Sequence, residues 1–516
     1  MRKILLIAVF ISGMVTLAAE MATGRLLGNY FGTSNLIWAS IIGLILIYLT
    51  AGYFIGGKWA DRSPKYETFF SILAWGAFAI CLVPFISRPI LRFAANAFDQ
   101  LWIGNLIGSF LAVMILFIIP ITLLGTASPF AIRLAMHDSR QAGSISGKIY
   151  AISTLGSFVG TFIPDILLIP LIGTYRTFLI IGFILLIFAL LALALTINWK
   201  FTLKLIWMPI IVIALWIFGA PGSDKNTQGL IYETESSYNY IQVLDVNDFH
   251  LLRLNEGQGV HSIYHPDQVN YFGPWEQVLA APFFNAPPIH LQEIDSLAII
   301  GLAAGTTARQ ASLVYPWIKI DGFEIDPKIV EVGYKYFGMN IPNLNVYVQD
   351  GRWGLKTSNK TYDIISVDAY RPPYIPWHLT TKEFFEEVYN HLEPDGVMVI
   401  NIGRGLDDRR LIDALGSTIL SVFPTIHVMD VPDSFNSILF ATKMPTEASN
   451  LKINYQQLNQ NTTHPLLRET LFVTTTNLQP PPGKSVVFTD DKAPIEWYTN
   501  AMIIDFFLQG DMETLQ

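Results

Sequence analysis

The stretch SLAIIGLAAGTTARQASLVYPWIKIDGFEID, Ser296 to Asp326, decides how the second half of this chain folds. An apolar run, Leu297 to Ile300, enters a turn of small residues, Gly301 to Gly305. A helical stretch and a second apolar run follow, ending at Glu324 and Asp326. A strand, tight turn, helix and strand with an acid about two dozen residues past the first glycine is the arrangement that seats an adenosine-type ligand.

Downstream the alternation continues. Strands are predicted at Asn345 to Gln349, ending in Asp350-Gly351, and at Tyr362 to Val367, ending in Asp368; two more are predicted at Gly396 to Ile402 and, as the last strand, at Ser437 to Thr442. Helices are predicted at Pro327 to Phe337, Thr381 to Leu392 and Leu406 to Phe423. Alternating strands and helices imply a mostly parallel, doubly wound sheet of the Rossmann-like, methyltransferase type. Ligands of such sheets bind outside the carboxyl ends of the strands. Gly301, Gly305, Glu324, Asp350 and Asp368 all fall there, so four successive strands deliver a glycine turn and three carboxylates to one rim.

Upstream, Gly229 to Tyr264 alternates apolar and polar residues and reads as a small antiparallel sheet, followed by a helical stretch, Pro274 to Phe283. Pro221-Gly222-Ser223-Asp224 reads as a linker. Leu451 to Thr476 is polar and unpatterned and reads as a surface excursion.

The first half is different in kind. The chain of 516 residues is 52% hydrophobic, and the excess sits before the linker. Seven apolar stretches occur there: Ile4 to Ala19, Leu36 to Gly57, Thr68 to Ile86, Leu101 to Leu124, Ile149 to Ile172, Thr177 to Ile197 and Leu205 to Ala220. Most approach the roughly 20 residues a bilayer-spanning helix needs. The expected architecture is therefore an α-helical polytopic membrane domain of about seven helices (1–222), a small β-rich subdomain (223–290), the Rossmann-like domain (291–445) and a C-terminal extension (446–516).

Lys and Arg in alternate connections favour the side that holds Arg2, Lys3, Lys58, Arg62, Lys65, Arg133, Arg140, Lys148, Lys200 and Lys204, which places the N-terminus in the cytoplasm. Seven crossings would put the second half outside. The short last segment with Pro209, and the amphipathic Gly125 to Met136 stretch, are candidates for not crossing, and the expectation is a cell-membrane protein with a cytoplasmic catalytic domain. Glu20 and Asp165 lie in or beside the apolar segments and are candidates for pairing or for a substrate path. Gly52, Gly56, Gly57, Gly156 and Gly160 read as close helix contacts.

Charge divides the same way. The part up to Ala220 holds 14 Lys and Arg against 6 Asp and Glu, leaving 19 basic and 35 acidic residues for the rest. So acidic a second half argues against nucleic acid as a partner, because phosphate binding needs a basic surface. The single cysteine, Cys81, excludes a disulfide framework, and no His/Asp/Glu spacing reads as a metal site.

On these residues, Ser236 to Thr442 resembles the spermidine synthase family of polyamine aminopropyltransferases, and the whole chain is similar to bacterial versions with a fused membrane domain. The family's IGGGDGGTARE turn is matched by Ile300 to Gln310, its EID by Glu324-Ile325-Asp326, its DG by Asp350-Gly351 and the start of its DSSDP loop by Asp368. Its SxYQxI pattern is matched by Ser236, Tyr238 and Ile241, with Asn239 for Gln, and the glutamine of its LDGxxQ region is similar to Gln258. The resemblance implies decarboxylated S-adenosylmethionine, or S-adenosylmethionine, as co-substrate. Glu324 would hold the ribose hydroxyls, Asp350 the adenine amino group, and Gln258 would border the nucleoside. A carboxylate near the attacking amine can take its proton and orient its lone pair, which is the part expected of Asp368, with Tyr370 beside it in the acceptor pocket. Pro376-Trp377-His378-Leu379-Thr380-Thr381, with Glu383-Phe384, resembles the PxHLxTxEF signature of the membrane-fused group, and FTDDKAPIEW, with Asp490, Asp491 and Glu496, resembles its TDDxAPxE.

The sequence also departs from the family. Ala304 stands where the family turn has an aspartate, Arg371 replaces the second aspartate of DSSDP, and of the YHE or YQE helix only Glu276 is retained. These positions would contact the acceptor. An arginine facing an ammonium at about 4 Å costs roughly 4 kcal/mol at an effective dielectric near 20, so putrescine is a poor fit. The expected function is a membrane-anchored transferase that aminopropylates a different amine or other nucleophile. The alternatives are an S-adenosylmethionine-dependent methyltransferase-like enzyme, or a transporter or sensor with a non-catalytic nucleoside- or polyamine-binding domain. The partners implied are the lipid membrane, the acceptor and, compatibly with both, a second copy of the chain in a homo-oligomer.

Overall fold

The computed structural model describes residues 1–32, 35–98, 102–136, 141–219, 225, 227–255, 259–370, 374–405, 407–459 and 462–509. The expected linker at 221–224, Gln258 and Arg371 therefore lie outside the described residues. The chain divides into two compact units, Met1–Thr227 with Thr234–Tyr240, and Gln228–Glu233 with Ile241–Gln516.

The first unit is helical: α1 (Arg2–Phe31), α2 (Asn35–Arg62), α3 (Tyr66–Phe98), α4 (Trp102–Gly125), α5 (Ala127–Ala135), α6 (Ala142–Phe162), α7 (Ile169–Ile172), α8 (Thr174–Thr196), α9 (Trp199–Leu203) and α10 (Trp207–Phe218). Among the described residues six helices are long and apolar enough to cross a membrane, not seven. The seventh apolar segment forms α10, whose 12 residues reach about 18 Å, short of the ~30 Å hydrocarbon core. The amphipathic stretch after α4 becomes α5, and the two run together as one candidate span, Gly108–Ala135.

Small residues set the tightest helix contact. A Cβ on Gly156 or Gly160 of α6 would fall 2.0 Å from the carbonyl oxygens of Phe10 and Met14 on α1, so the two backbones touch where side chains are missing. Gly57, by contrast, faces open space. Glu20 is buried on α1, and Asp165 sits in a π-helical turn, Ile163–Leu168, between α6 and α7. The segment 234–240 joins this unit through polar contacts. Arg25 donates to the carbonyls of Ser236 and Tyr238, and the Glu235 carboxylate accepts from Asn29 and, at 2.7 Å, from Thr174 N at the start of α8.

The remaining elements form two sheets. β1 (Leu230–Glu235), β2 (Tyr240–Val246), β3 (Phe249–Leu254) and β4 (Val260–Tyr264) make a four-stranded sheet in sequence order, in which β2, β3 and β4 pair antiparallel. β5 (Ser296–Ile300), β6 (Lys319–Glu324), β7 (Leu344–Val348), β8 (Tyr362–Val367), β9 (Leu392–Gly403), β10 (Thr425–Asp430), β11 (Asn436–Thr442) and β12 (Leu478–Gln479) form the second, ordered 12-10-11-9-8-5-6-7. Strands 9, 8, 5, 6 and 7 are mutually parallel, and β11, β10 and β12 extend that sheet antiparallel. The helices are α11 (Thr306–Val314), α12 (Pro327–Tyr336), α13 (Gly351–Thr357), α14 (Lys382–Asn390), α15 (Arg410–Leu420), α16 (Ala448–Gln457), α17 (Pro465–Thr476) and α18 (Ile495–Gln509). The unit is an α/β fold whose parallel core matches the sequence pattern.

Two sequence expectations fail. β11 is not the last strand, and β10 was not expected at all. Its His427 interrupts the apolar pattern yet is buried, stacked on Phe284 at 4.5 Å between ring centroids and bonded to Thr446 Oγ1 at 2.8 Å. The supposed surface excursion is α16 and α17, with Leu451, Leu466, Leu467 and Leu471 in the core. Several of its polar groups bond within the fold: Thr470, Thr474 and Thr475 donate to carbonyls four residues back, and Asn454 Nδ2 donates to the carbonyls of Phe283 and Asn285.

Candidate active site

The small-residue turn after β5 is shaped by three backbones meeting. Gly301 has φ +87°, and a Cβ there would lie 2.5 Å from the Asp368 carbonyl oxygen. Gly301 N and Leu302 N both donate to Phe323 O, at 3.0 and 2.9 Å, while Asp368 N donates to Ile300 O at 2.9 Å. Gly305, at φ +85°, caps α11, and its missing side chain leaves room for Met339. These glycines therefore first serve the approach of neighbouring chain, ahead of any ligand. Between them Ala303 takes φ +49°, which an L-residue adopts rarely, and its N–H donates to Glu324 Oε2 at 2.9 Å.

Glu324 ends β6, 7% exposed, and its other oxygen accepts from Asp326 N at 3.0 Å. Burial outweighs these bonds and pushes its carboxyl up to about 7. Asp350, past the end of β7, caps α13 by accepting from Trp353 N at 2.9 Å through Oδ1, and its Oδ2 lies 3.0 Å from His378 Nε2. The His378 hydrogen bond holds its carboxyl below the usual range.

Asp368 ends β8. Asn401 on β9 donates from Nδ2 to Asp368 Oδ1 at 3.0 Å, and burial pushes this carboxyl up to about 6. Asn401 Oδ1 is buried with no hydrogen-bond partner among the described residues. A buried acceptor left over beside a carboxylate invites a donor from outside the protein. Tyr370 is fixed by the same strand: its hydroxyl donates to Asn401 O at 3.0 Å and accepts from Gly403 N at 2.9 Å.

The structure thus brings Gly301, Glu324, Asp350, Asp368 and Tyr370 to the carboxyl ends of the parallel strands. Other expected residues sit elsewhere. Glu276, 1% exposed in a 3-10 helix, accepts from Gly273 N at 2.7 Å and Gln310 Nε2 at 3.1 Å, so both oxygens face inward; burial pushes it up to about 7. Ala304 is fully buried with Ile241, Leu252, Ile329 and Phe337, its N–H donating to Ser262 Oγ at 2.9 Å. A carboxylate at 304 would meet those apolar neighbours. Among the described residues no group of three or more His, Cys, Asp or Glu could hold a metal.

Sequence reading missed Asn401 and Arg352. Asn401 is one polar residue in the apolar run GVMVINIG, and Arg352 merely follows Asp350-Gly351. Yet Arg352 is where two separate motifs meet. Its guanidinium donates to Asp490 Oδ1 and Oδ2 at 2.8 and 2.9 Å, to Glu387 Oε1 at 3.0 Å and to His378 O at 2.9 Å. Thr381 Oγ1 donates to Asp490 Oδ1 at 2.7 Å, and Asp490 N donates to Glu383 Oε2 at 2.9 Å.

A family model described as the spermine/spermidine synthase domain matches residues 285–451. A probable polyamine aminopropyl transferase from Bifidobacterium longum is 35% identical over 288 residues, covering 52% of this chain and 61% of that protein. A polyamine aminopropyltransferase from Vibrio vulnificus is 30% identical over 233 residues, covering 42% of this chain and 74% of that protein. A solved structure described as a probable spermidine synthase from Corynebacterium glutamicum aligns with 52% of this chain and 99% of its own, at 19% identity and a TM-score of 0.38.

Proposed function

This chain belongs to the spermidine synthase family of polyamine aminopropyltransferases, and on that premise we propose that it transfers an aminopropyl group from decarboxylated S-adenosylmethionine to an amine. The observation that carries the reading is Asp368, a strand-end carboxylate with Asn401 beside it and an acceptor oxygen of that amide left over. The attacking nitrogen must be neutral. In the proposed step its lone pair forms a bond to the methylene carbon on sulfur, the carbon–sulfur bond breaks, and the electron pair leaves with sulfur as the neutral thioether 5′-methylthioadenosine. The nitrogen becomes cationic and releases a proton to the Asp368 carboxylate. Asn401 Oδ1 accepts a second N–H of the same nitrogen, which aims the lone pair. Glu324 accepts from the ribose diol and Asp350 from the adenine amine.

The same reading has the six apolar helices of the first unit span a membrane. Six crossings return the chain to the side on which it began, so the positive-inside count, which favours a cytoplasmic N-terminus, favours a cytoplasmic catalytic unit too. With Arg371 in place of an acid, an acceptor other than putrescine is proposed.

Incubation of the full chain with decarboxylated S-adenosylmethionine and a panel of amines, followed by mass spectrometry, tests the reaction. The expected result is equal formation of methylthioadenosine and an aminopropylated amine. Transfer of only a methyl group from S-adenosylmethionine, or no product with any amine, sinks the reading. Protease accessibility of the second unit in sealed cells tests the topology; cleavage from outside overturns it.

A further inference from the structure

His378 and Asp490 belong to two motifs that the proposed chemistry leaves unused, and they lie 112 positions apart in the chain. The structure joins them through Arg352. Asp490 grips the guanidinium with both oxygens, Glu387 takes its other edge, and the remaining donor reaches the His378 carbonyl. Arg352 and Glu387 are 16% and 20% exposed and Asp490 40%, so the guanidinium is held on an inner edge by Glu387 and on an outer edge by the two-pronged grip of Asp490. Arg352 sits two residues past Asp350 and holds the peptide of His378 while the ring meets Asp350 Oδ2 at 3.0 Å.

A carboxylate held by a single cap bond keeps its last torsion broad. Trp353 N is one anchor of Asp350, and His378 Nε2 is a second on the other oxygen. Two anchors fix the plane of the carboxylate and hence the direction of its remaining lone pairs. Asp350 and His378 are 35% and 32% exposed, so those lone pairs can still be reached from outside.

We infer that His378 is a positioning residue that sets Asp350 to read the exocyclic amine of a 6-aminopurine, and that the Arg352–Asp490 clamp holds His378 in place. The inference rests on the nucleoside reading above. A carboxylate fixed in this way is an acceptor only: it takes a hydrogen from a 6-amino group and repels the oxygen of a 6-oxo group. Freed from His378 it turns away, and the discrimination falls.

The test compares affinities of the full chain, by calorimetry, for 5′-methylthioadenosine and its 6-oxo counterpart, 5′-methylthioinosine. Wild-type protein should prefer the adenosine. His378→Ala should weaken adenosine binding about tenfold, the scale of one hydrogen bond to a charged group, and leave inosine binding unchanged or tighter as the repulsion is relieved. His378→Gln, which can still donate at the Nε2 position, should restore most of the preference. Asp490→Asn, distant in sequence, should lose preference in the same sense by a smaller factor. Equal weakening for both nucleosides in His378→Ala, without rescue by Gln, overturns the positioning role. Full discrimination in Asp490→Asn overturns the clamp. Wild-type protein that binds neither nucleoside overturns the reading beneath both.

Discussion

Asp350 and Asp368 occupy equivalent places in the fold, each an acid just past the end of a parallel strand, yet their surroundings push them in opposite directions. Asp350 is held low by His378 and anchored through both oxygens. Asp368 is raised to about 6 by burial, with one amide donor on Oδ1. The difference teaches that a strand-end carboxylate takes its role from the elements that cross beside it. An acid kept ionised and oriented suits recognition. One whose carboxyl lies near neutrality suits proton acceptance.

The largest expected effect separates the two. Asp368→Asn should lower kcat by about a hundred- to ten-thousand-fold, the usual worth of a general base, while methylthioadenosine affinity changes less than about twofold. Asp350→Ala should do the reverse: nucleoside affinity falls by about ten- to a hundredfold and kcat at saturation falls much less. Steady-state kinetics on each variant, with calorimetry of the product complex, measures both. If Asp350→Ala depresses kcat as deeply as Asp368→Asn, the division between recognition and proton transfer is broken.

How far this division could be read from the sequence depends on which side of each acid is considered. Glu324, Asp350 and Asp368 were legible because strand ends follow from apolar runs of fixed length, and parallel sheets put those ends on one rim. What tunes them was not. Asn401 reaches Asp368 because β8 and β9 pair Val367 with Ile400, which sets the next residues side by side, and no local pattern encodes that register. Arg352 finds partners 35 and 138 residues along the chain. Glu276 and Ala304 looked like acceptor contacts by alignment to motifs, but the structure turns both into the interior, since motif spacing does not state which way a side chain faces. The threonines of α17 read as surface because composition does not reveal hydroxyls folded back onto their own helix.

A third carboxylate sharpens the comparison. In the proposed nucleoside site Glu324, raised to about 7 by burial, would have to be ionised to accept from both ribose hydroxyls. Its anion is lost as pH falls through about 7, whereas Asp350, held low, stays charged. Methylthioadenosine affinity should therefore drop about fivefold between pH 7 and pH 6. Glu324→Gln should bind weakly at every pH and show no such limb. A limb that persists in Glu324→Gln would assign the titration to another group.

The smallest effect bears most directly on Asp368. Asn401 Nδ2 donates to the ionised form, so it favours the anion and opposes the effect of burial. In wild-type protein kcat should rise with pH through about 6 and then level off if, as proposed, the carboxylate is the proton acceptor. Asn401→Leu removes the donor, and the whole acid limb should move to higher pH. At pH 7 the loss from this shift is less than about twofold, since most of the carboxylate is still ionised there. Well below pH 6 it deepens. The same variant also removes the acceptor at Oδ1, so KM for the amine should rise while methylthioadenosine affinity holds. An unmoved acid limb would mean that Asp368 is tuned by burial alone, and that its contrast with Asp350 owes nothing to β9.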